Sequence, residues 1–338
     1  MGGNALKNAG VGRVEWHRYF DIWNALNNNP TMGARFELRI IPAYGEKSSF
    51  GDMDVLVVGP MDELVSTIRE AFSPTELVEN GDCVSFDFMG IQVDFIKTRA
   101  DLVPFNLAYF SFNDLGNFMG RTAYRLGFKY GHDGLWYTIR DDENESRVVK
   151  AILLTKEPID AFAFLGYNYA RWCRGFRNLE EIFEFAASSA YFDPAQYLLS
   201  NRSYAARVRD RKRESYRKLL EWIHSKYPDL KEDSPKVPVD KEFHLQRAFD
   251  MFPAFSHRYD VAMADWQEDK EFRKNFNGAA IGGMLGLDGK ELGAAMKAAK
   301  EYIARHDLKS WIGSLSAIEF NAVVPVIFSA IDREKNDS

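Results

Sequence analysis

The chain is poor in cysteine and has no long apolar run, and each absence excludes a class of protein. Its two cysteines, Cys83 and Cys173, cannot build a disulfide framework and are typical of cytosolic thiols. The longest apolar stretches, such as 323–327, are too short to span a membrane, and residues 1–13 lack the apolar core of a signal peptide. The six histidines are never spaced like zinc ligands. We therefore expect a cytoplasmic protein with no membrane partner.

An excess of basic charge is also absent, although apolar residues are plentiful. The 338 residues include 43 Lys and Arg against 49 Asp and Glu, which gives a net charge of −6. This balance argues against a protein that coats nucleic acid without specificity, but it does not exclude a local basic groove. A hydrophobic content of 46% and an aromatic content of 14% exclude a disordered chain. The length suggests two domains or three small ones.

Strand and helix patterns divide the chain near residue 156, after which only helical patterns occur. The segment 227–240 contains three prolines and mixed charge, which is typical of a linker. The sequence therefore predicts an α+β fold, in which a small mixed or antiparallel sheet with flanking helices precedes an all-helical C-terminal region. The predicted divisions are 1–150 for the head, 151–228 for a basic helical region, 229–240 for the linker and 241–338 for a helical C-terminal domain.

A small-residue loop followed by two carboxylates is the most informative local pattern. Asp52 and Asp54 stand two residues apart at the start of an apolar strand, so their side chains point to the same face. Two adjacent carboxylates repel each other unless a cation lies between them. The loop before them offers backbone N–H groups and the hydroxyls of Ser48 and Ser49, which suit phosphate oxygens. A solvated strand end is the alternative interpretation of such a pair.

A third carboxylate, Asp94, lies in the otherwise apolar strand pattern 91–96. A charge at such a position is costly unless it is paired or binds a metal ion. Three carboxylates on one face of a sheet can hold two Mg²⁺ ions roughly 3.5–4 Å apart. Such a pair of ions suits in-line displacement at phosphorus.

Residues 45–56 resemble the active-site signature of the DNA polymerase beta nucleotidyltransferase superfamily, and they are close to its family X pattern. Phe50 is an extra residue within the match, and Asp94 falls where the superfamily keeps its third metal carboxylate. The matching residues are Ser48, Ser49, Gly51, Asp52, Met53 and Asp54. The resemblance implies a palm-like nucleotidyltransferase head whose catalytic and metal-binding residues are Asp52, Asp54 and Asp94, with two Mg²⁺ ions, or Mn²⁺ in their place.

The resemblance extends over about residues 35–140, where it implies a nucleotide site. Tyr109-Phe110-Ser111 resembles the Tyr-Phe-Thr turn beside the incoming nucleotide. Asn117 and Arg121 match in spacing the residues that contact the base and the minor groove. The Gly-Ser pair that usually binds triphosphate is missing from 39–44, and Phe112 replaces a glycine. The implied nucleotide-binding residues are Lys47, Ser48, Ser49, Gly51, Tyr109, Asn117 and Arg121, with Arg39 as a further candidate for the triphosphate.

A basic stretch at 202–218 contains eight Lys and Arg against two acids. The pattern predicts one helix over about 203–226. Such a helix would bring four of the arginines near one face, and arginine suits phosphate contacts. The sequence therefore favours binding of a nucleic-acid backbone over a solvated helix face. These four residues are Arg202, Arg209, Arg213 and Arg217.

A glycine-rich segment at 277–296 resembles a helical element of CCA-adding enzymes and poly(A) polymerases. A tight helix-packing turn explains it equally well.

The sequence as a whole favours transfer of a nucleoside monophosphate from an NTP or dNTP to the 3′-hydroxyl of a nucleic acid. The acceptor stays open between a tRNA-like RNA end and a DNA primer. Two alternatives remain. One is a nucleotidyltransferase that transfers AMP to a small molecule or a protein. The other is a non-catalytic nucleic-acid-binding module.

Overall fold

A computed structural model describes residues 5–142, 144 and 147–336. The chain forms two compact units. Unit 1 comprises Met1–Thr138 and Leu153–Pro253, and unit 2 comprises Ile139–Ile152 and Ala254–Ser338. The predicted fold class is confirmed, because an α+β part precedes an all-helical C-terminal region. In the described part of the chain, no helix is both long enough and apolar enough to cross a membrane.

Among the residues that the structure describes, the strands lie in the first half of the chain. They are β1 (Val14–Glu15), β2 (Glu37–Ile40), β3 (Ser49–Phe50), β4 (Asp52–Val58), β5 (Leu77–Asn80), β6 (Cys83–Phe88), β7 (Ile91–Lys97), β8 (Phe128–Gly131), β9 (Gly134–Arg140) and β10 (Val148–Thr155).

Helices flank the strands and form the remainder. In unit 1 they are α1 (Trp16–Asn27), α2 (Pro30–Gly33), α3 (Leu64–Phe72), α4 (Val103–Phe110), α5 (Leu115–Arg125), α6 (Pro158–Phe164), α7 (Tyr169–Cys173), α8 (Leu179–Ala187), α9 (Tyr204–Arg211), α10 (Glu214–Lys226) and α11 (Lys241–Met251). Those that follow are α12 (Pro253–Asn275), α13 (Gly278–Leu285), α14 (Gly289–Arg305), α15 (Lys309–Ser314) and α16 (Ala317–Asn336).

The main sheet of unit 1 has the strand order β2-β4-β7-β6-β5. Its two central strands, β4 and β7, run parallel, and the other neighbours pair antiparallel. Alternation along β4 sends Met53, Val55 and Val57 into a core with Ile22 of α1 and Ile68 of α3. The same alternation sends Asp52, Asp54 and Leu56 to the opposite face.

That opposite face is only partly covered by apolar side chains. Leu56 and Ile96 pack there with Ile41 and with side chains of α4. The carboxylates precede these apolar residues on the two central strands, so they lie at one end of the covered area. Polar chemistry is therefore concentrated where β4 and β7 begin.

Unit 2 is a helical unit with its own core. Phe272 of α12 and Phe276, which follows this helix, pack with Ile303 of α14 and with the inner face of α16. Gly282 allows α13 and α14 to approach closely, because an added Cβ would lie 3.0 Å from the Leu287 carbonyl oxygen. The glycine-rich segment therefore forms a helix-packing turn, which was one of the two interpretations of its sequence.

The two units have other bounds than the divisions predicted from the sequence. Residues 153–253 belong with the head, and α11 is anchored there, since Arg247 donates to the Phe164 carbonyl oxygen over 3.1 Å. The proline-rich segment is also held within unit 1: the Val237 N–H donates to Asp193. The segment predicted as a linker therefore lies inside unit 1.

Candidate functional site

A cleft of about 1160 Å³ opens in unit 1 beside the start of β4. It brings together residues from several parts of the sequence that lie far apart. Those used below are Arg13, Lys47, Ser48, Ser49, Gly51, Asp52, Asp54, Tyr109, Phe110, Asn117, His132 and Arg213.

The sheet register brings the three predicted carboxylates to one face. Asp54 on β4 is the direct partner of Asp94 on the parallel strand β7, and Asp52 stands two residues earlier on the same face. Neighbouring strands lie about 4.8 Å apart, so the three carboxylates lie close together on this face. We call Asp52, Asp54 and Asp94 the acidic row. Asp52 and Asp54 line the cleft, whereas Asp94 lies beneath its surface.

Of the three carboxylates, Asp54 has the surroundings least favourable to a negative charge. Its Oδ1 is shielded from solvent and has no hydrogen-bond partner among the described residues. Burial, followed by the charges of Asp52 and Asp94, raises the pKa of Asp54 to about 7, although Lys47 opposes the shift. A buried acceptor without a donor is the kind of group that a cation satisfies.

Asp94 is held by neutral donors. Its Oδ1 accepts a hydrogen bond of 2.8 Å from Gln92 Nε2, and the Ser85 hydroxyl is a second partner. Burial raises the pKa of Asp94, and these two hydrogen bonds moderate the rise. Within the part of the chain that the structure describes, no three His, Cys, Asp or Glu side chains are arranged to hold a metal ion. The unpartnered Oδ1 of Asp54 beside Asp52 is suited to a cation, whereas Asp94 does not line the cleft, so the three carboxylates do not form a metal-holding group in this arrangement.

The loop before β4 carries cationic and hydroxyl groups. Lys47 lies 4.6 Å from the centre of the Phe50 ring, and burial lowers its pKa despite the nearby charges of Asp52 and Asp54. Backbone hydrogen bonds from Gly45 to Phe176 (2.9 Å) and from Glu46 to Arg177 (2.7 Å) fix the start of the loop.

The structure adds Arg13 to this loop, a residue that sequence reasoning missed. Its Nη2 donates to the Ser49 carbonyl oxygen over 2.8 Å and to Ser49 Oγ over 3.0 Å. The pairing of β1 with β3 brings it there from 36 residues away. No local pattern around Arg13 signals this contact. Arg39, in contrast, pairs with Glu37 on the exposed side of β2 and does not line the cleft.

Aromatic side chains form another wall of the cleft. The rings of Phe110 and His132 stack at 5.8 Å, and Tyr109 meets His132 edge to face. Asn106 fixes His132 by a 3.0 Å hydrogen bond to its carbonyl oxygen. Phe112 and Asn113 both have φ near +62°, so α4 ends in a left-handed turn. Sequence reasoning found Tyr109 but missed His132.

Of the two predicted contacts to the base and the minor groove, Asn117 and Arg121, only Asn117 lies at the cleft. Asn117 donates to Asp114 there. The structure does not bring Arg121 into the cleft. Its guanidinium is buried, and it donates to Asp210 over 2.8 Å and to the Tyr216 hydroxyl over 2.7 Å.

The continuous helix predicted over 203–226 is wrong. Residues 212–213 separate α9 from α10. Three of the four arginines form ion pairs with acidic side chains instead of facing solvent together. Arg202 and Arg209 both contact Asp210 at 3.3 Å, and Arg213 pairs with Asp114. Arg217 is exposed on α10. The four arginines therefore do not form one solvated face.

The raised pKa of Asp54 leads to a pH prediction for the metal-free protein. A folded-state pKa near 7, against an ordinary value of 3.8, favours the protonated folded form. The contribution of Asp54 to the free energy of unfolding should therefore be fully present below about pH 4 and fall by on the order of 3 kcal/mol as the pH rises to about 7. Urea unfolding across this range, in the presence of a chelator, measures the effect.

The matched control for this pH series is Asp54→Asn, which cannot titrate. Its unfolding free energy should lack the Asp54 component of the decline. Parallel curves for the two proteins between pH 4 and 7 would contradict the assignment.

Comparison with known proteins gives a limited likeness. No family model matches the chain, and no curated protein matches it. Among solved structures, it is similar to the polymerase beta of Leishmania infantum in a ternary P/T complex, with 16% identity, a TM-score of 0.36, and coverage of 48% of this chain and 76% of that one. In a ternary gap complex of the same protein, the identity is 14%, the TM-score is 0.36, and the match covers 46% of this chain and 68% of that one. Both likenesses concern about half of this chain, at an identity too low to transfer an activity.

Proposed function

We propose that this protein is a metal-dependent nucleotidyltransferase that adds a nucleoside monophosphate from an NTP or dNTP to the 3′-hydroxyl of a nucleic acid. One observation carries the proposal. Asp52, Asp54 and Asp94 share one sheet face beside a large cleft, and a buried oxygen of Asp54 lacks a donor. A protein without a use for this row would gain stability by replacing it.

The residues of the cleft divide the chemistry between them. Asp52 and Asp54 would hold two Mg²⁺ ions, or Mn²⁺, with Asp94 completing the second site. Divalent ions bound there promote attack by a hydroxyl and neutralise a leaving pyrophosphate. Burial raises the pKa of Asp94, which suits it to accept the proton of the attacking 3′-hydroxyl.

The loop and the aromatic wall would orient the nucleotide. Lys47 and Arg13 supply positive charge, and Ser48 and Ser49 supply hydroxyls, all beside the carboxylates. These groups replace the Gly-Ser pair that the sequence lacks. Tyr109 and the stacked Phe110–His132 pair offer flat surfaces for the sugar and the base.

Incubation with each labelled NTP and dNTP tests the proposal. The reactions contain Mg²⁺ or Mn²⁺ and a panel of acceptors, including DNA primers, RNA ends and tRNA that lacks its terminal adenosine. We expect label on at least one 3′ end, and none when that end carries a 3′-deoxy terminus. Label on the protein or on a small molecule instead would favour AMP transfer to such an acceptor.

Basic residues of α10 and of the break that precedes it should bind the acceptor backbone. Lys212 and Arg217 are exposed, and Arg213 and Lys218 line the cleft. Each lost phosphate contact lowers the slope of log K against log salt by roughly 0.7 for a single strand. The double variant Lys212→Ala, Arg217→Ala should therefore bind an oligonucleotide more weakly and with a slope smaller by about 1.4, measured by fluorescence anisotropy.

A matched control for this measurement lies in unit 2. The double variant Lys290→Ala, Lys300→Ala removes the same charge from exposed positions. Its slope should equal that of the unmodified protein. Equal slopes for both double variants would contradict backbone binding by this surface.

A further inference from the structure

The segment Ala5–Ala9 is held at the end of the main sheet where β7 begins, next to the acidic row. Its backbone is held at two points. The N–H groups of Ala5 and Leu6 donate to Gln92 Oε1 at 3.1 and 3.4 Å. Three successive N–H groups donate to one carboxylate, that of Glu76. These are the amides of Lys7, Asn8 and Ala9. We call Ala5–Ala9 the strap.

Gln92 connects the strap to the carboxylates. Its side chain is completely buried, with the carbonyl oxygen turned to the strap and the amide nitrogen donating to Asp94 over 2.8 Å. The strap thus fixes which way the Gln92 amide faces, and the amide fixes Asp94. Docking of the strap and orientation of Asp94 are parts of one hydrogen-bond chain.

This chain holds Asp94 away from the use proposed for it. Asp94 does not line the cleft, and its oxygen is occupied by the amide donor. Turning Asp94 toward Asp54 would leave the Gln92 amide as a buried donor without a partner, which is unfavourable. When the strap leaves, Gln92 gains access to water and can release Asp94 at little cost.

We propose that the strap regulates the metal site by holding Asp94 out of it through Gln92, which is a positioning residue. The proposal rests on the proposed function, because it assumes that Asp94 binds a cation. Two linked equilibria must affect each other equally. Strap release therefore tightens metal binding, and metal binding promotes strap release by the same factor.

The anchor of the strap provides the variant that tests this coupling. The Asn8 and Lys7 N–H groups hold the pKa of Glu76 below its ordinary value, so the anchor is a charged acceptor. Glu76→Ala should release the strap and tighten Mn²⁺ binding roughly tenfold, within the usual range for coupled sites. Electron paramagnetic resonance of free Mn²⁺ measures the affinity. Hydrogen exchange at the amides of residues 5–9 measures strap release.

Two further variants separate this coupling from a general loss of structure. Gln92→Leu removes the donor to Asp94, so it should also tighten Mn²⁺ binding, and adding Glu76→Ala to it should change nothing more. Deletion of residues 1–9 should reproduce the effect of Glu76→Ala. Glu70→Ala, which removes an exposed carboxylate that pairs with Arg35, is the matched control and should not change the affinity.

The outcomes distinguish this inference from the proposed function. Faster exchange in the strap with unchanged Mn²⁺ affinity in Glu76→Ala would overturn the regulation and leave the metal site standing. If the unmodified protein shows no Mn²⁺ binding that Asp54→Asn removes, both the regulation and the proposed function are overturned. Tighter Mn²⁺ binding, together with faster strap exchange on addition of Mn²⁺ to the unmodified protein, is the result expected.

Discussion

Asp54→Asn is expected to abolish nucleotide transfer and at the same time to stabilise the metal-free protein. Removal of the central carboxylate takes away a ligand from both proposed ions. We expect a loss of transfer of at least about a thousandfold, which corresponds to roughly 4 kcal/mol of transition-state stabilisation. The buried charge without a donor disappears as well. The midpoint of thermal unfolding at pH 8 with a chelator should therefore rise by several degrees.

The control for this variant is Asp82→Asn. Asp82 also lines the cleft, but it lies in the turn between β5 and β6 and is exposed. Its replacement should leave transfer within a few-fold and the unfolding midpoint unchanged. Equal loss of transfer in the two variants, or a lower midpoint for Asp54→Asn, would contradict the assigned role of Asp54.

The second large effect concerns the buried ion cluster, where Asp210→Ala should strongly destabilise unit 1. Asp210 is 1% exposed and contacts Arg121, Arg202 and Arg209. Burial works to raise its pKa, but the arginines outweigh it and the pKa lies below the ordinary value. Removal of one partner of a buried pair costs about 3–5 kcal/mol, because the other charge stays buried. We expect the unfolding midpoint to fall by roughly 10 °C.

Substitution of Arg121, the partner of Asp210, tests the same ion cluster independently. A residue that contacts only the nucleotide would lose transfer on substitution without losing stability. Arg121→Met should instead lower the unfolding midpoint about as much as Asp210→Ala, and replacing both partners by apolar residues should recover part of the loss. An exposed control, Asp229→Ala, should not shift the midpoint. An unchanged midpoint in Arg121→Met would refute the structural role.

The positions of the three carboxylates could be predicted from the sequence, because each lies in a strand pattern with period two. Same-face placement of Asp52 and Asp54 follows from their spacing alone. The pairing of β4 with β7 then places Asp94 beside Asp54. Local periodicity therefore predicts the shared face of Asp52 and Asp54, and strand pairing adds Asp94 to it.

Contacts between distant parts of the chain could not be predicted in this way. Arg121 matches a nucleotide-contact pattern locally, yet its partner Asp210 stands 89 residues away. Arg13 reaches Ser49 across 36 residues, and the strap reaches Gln92 across 87. Spacing within one element contains no information about such partners, since the fold alone brings them together.

The break between α9 and α10 has a similar cause. Charge and spacing favour one long helix over 203–226, but Asp114 accepts hydrogen bonds from both Arg213 and Ser215. These contacts anchor the start of α10 to the residue before α5, and a continuous helix does not form there. Tertiary ion pairs have overridden local propensity.

A crystal structure of the protein with Mn²⁺ and a non-hydrolysable nucleoside triphosphate tests the central claim most directly, because anomalous scattering locates the metal. We predict manganese between the carboxylates of Asp52 and Asp54, with Asp94 turned to join them and the triphosphate against Lys47 and Ser49. Manganese bound elsewhere, or a nucleotide bound in the cleft without manganese at Asp54, would contradict the claim.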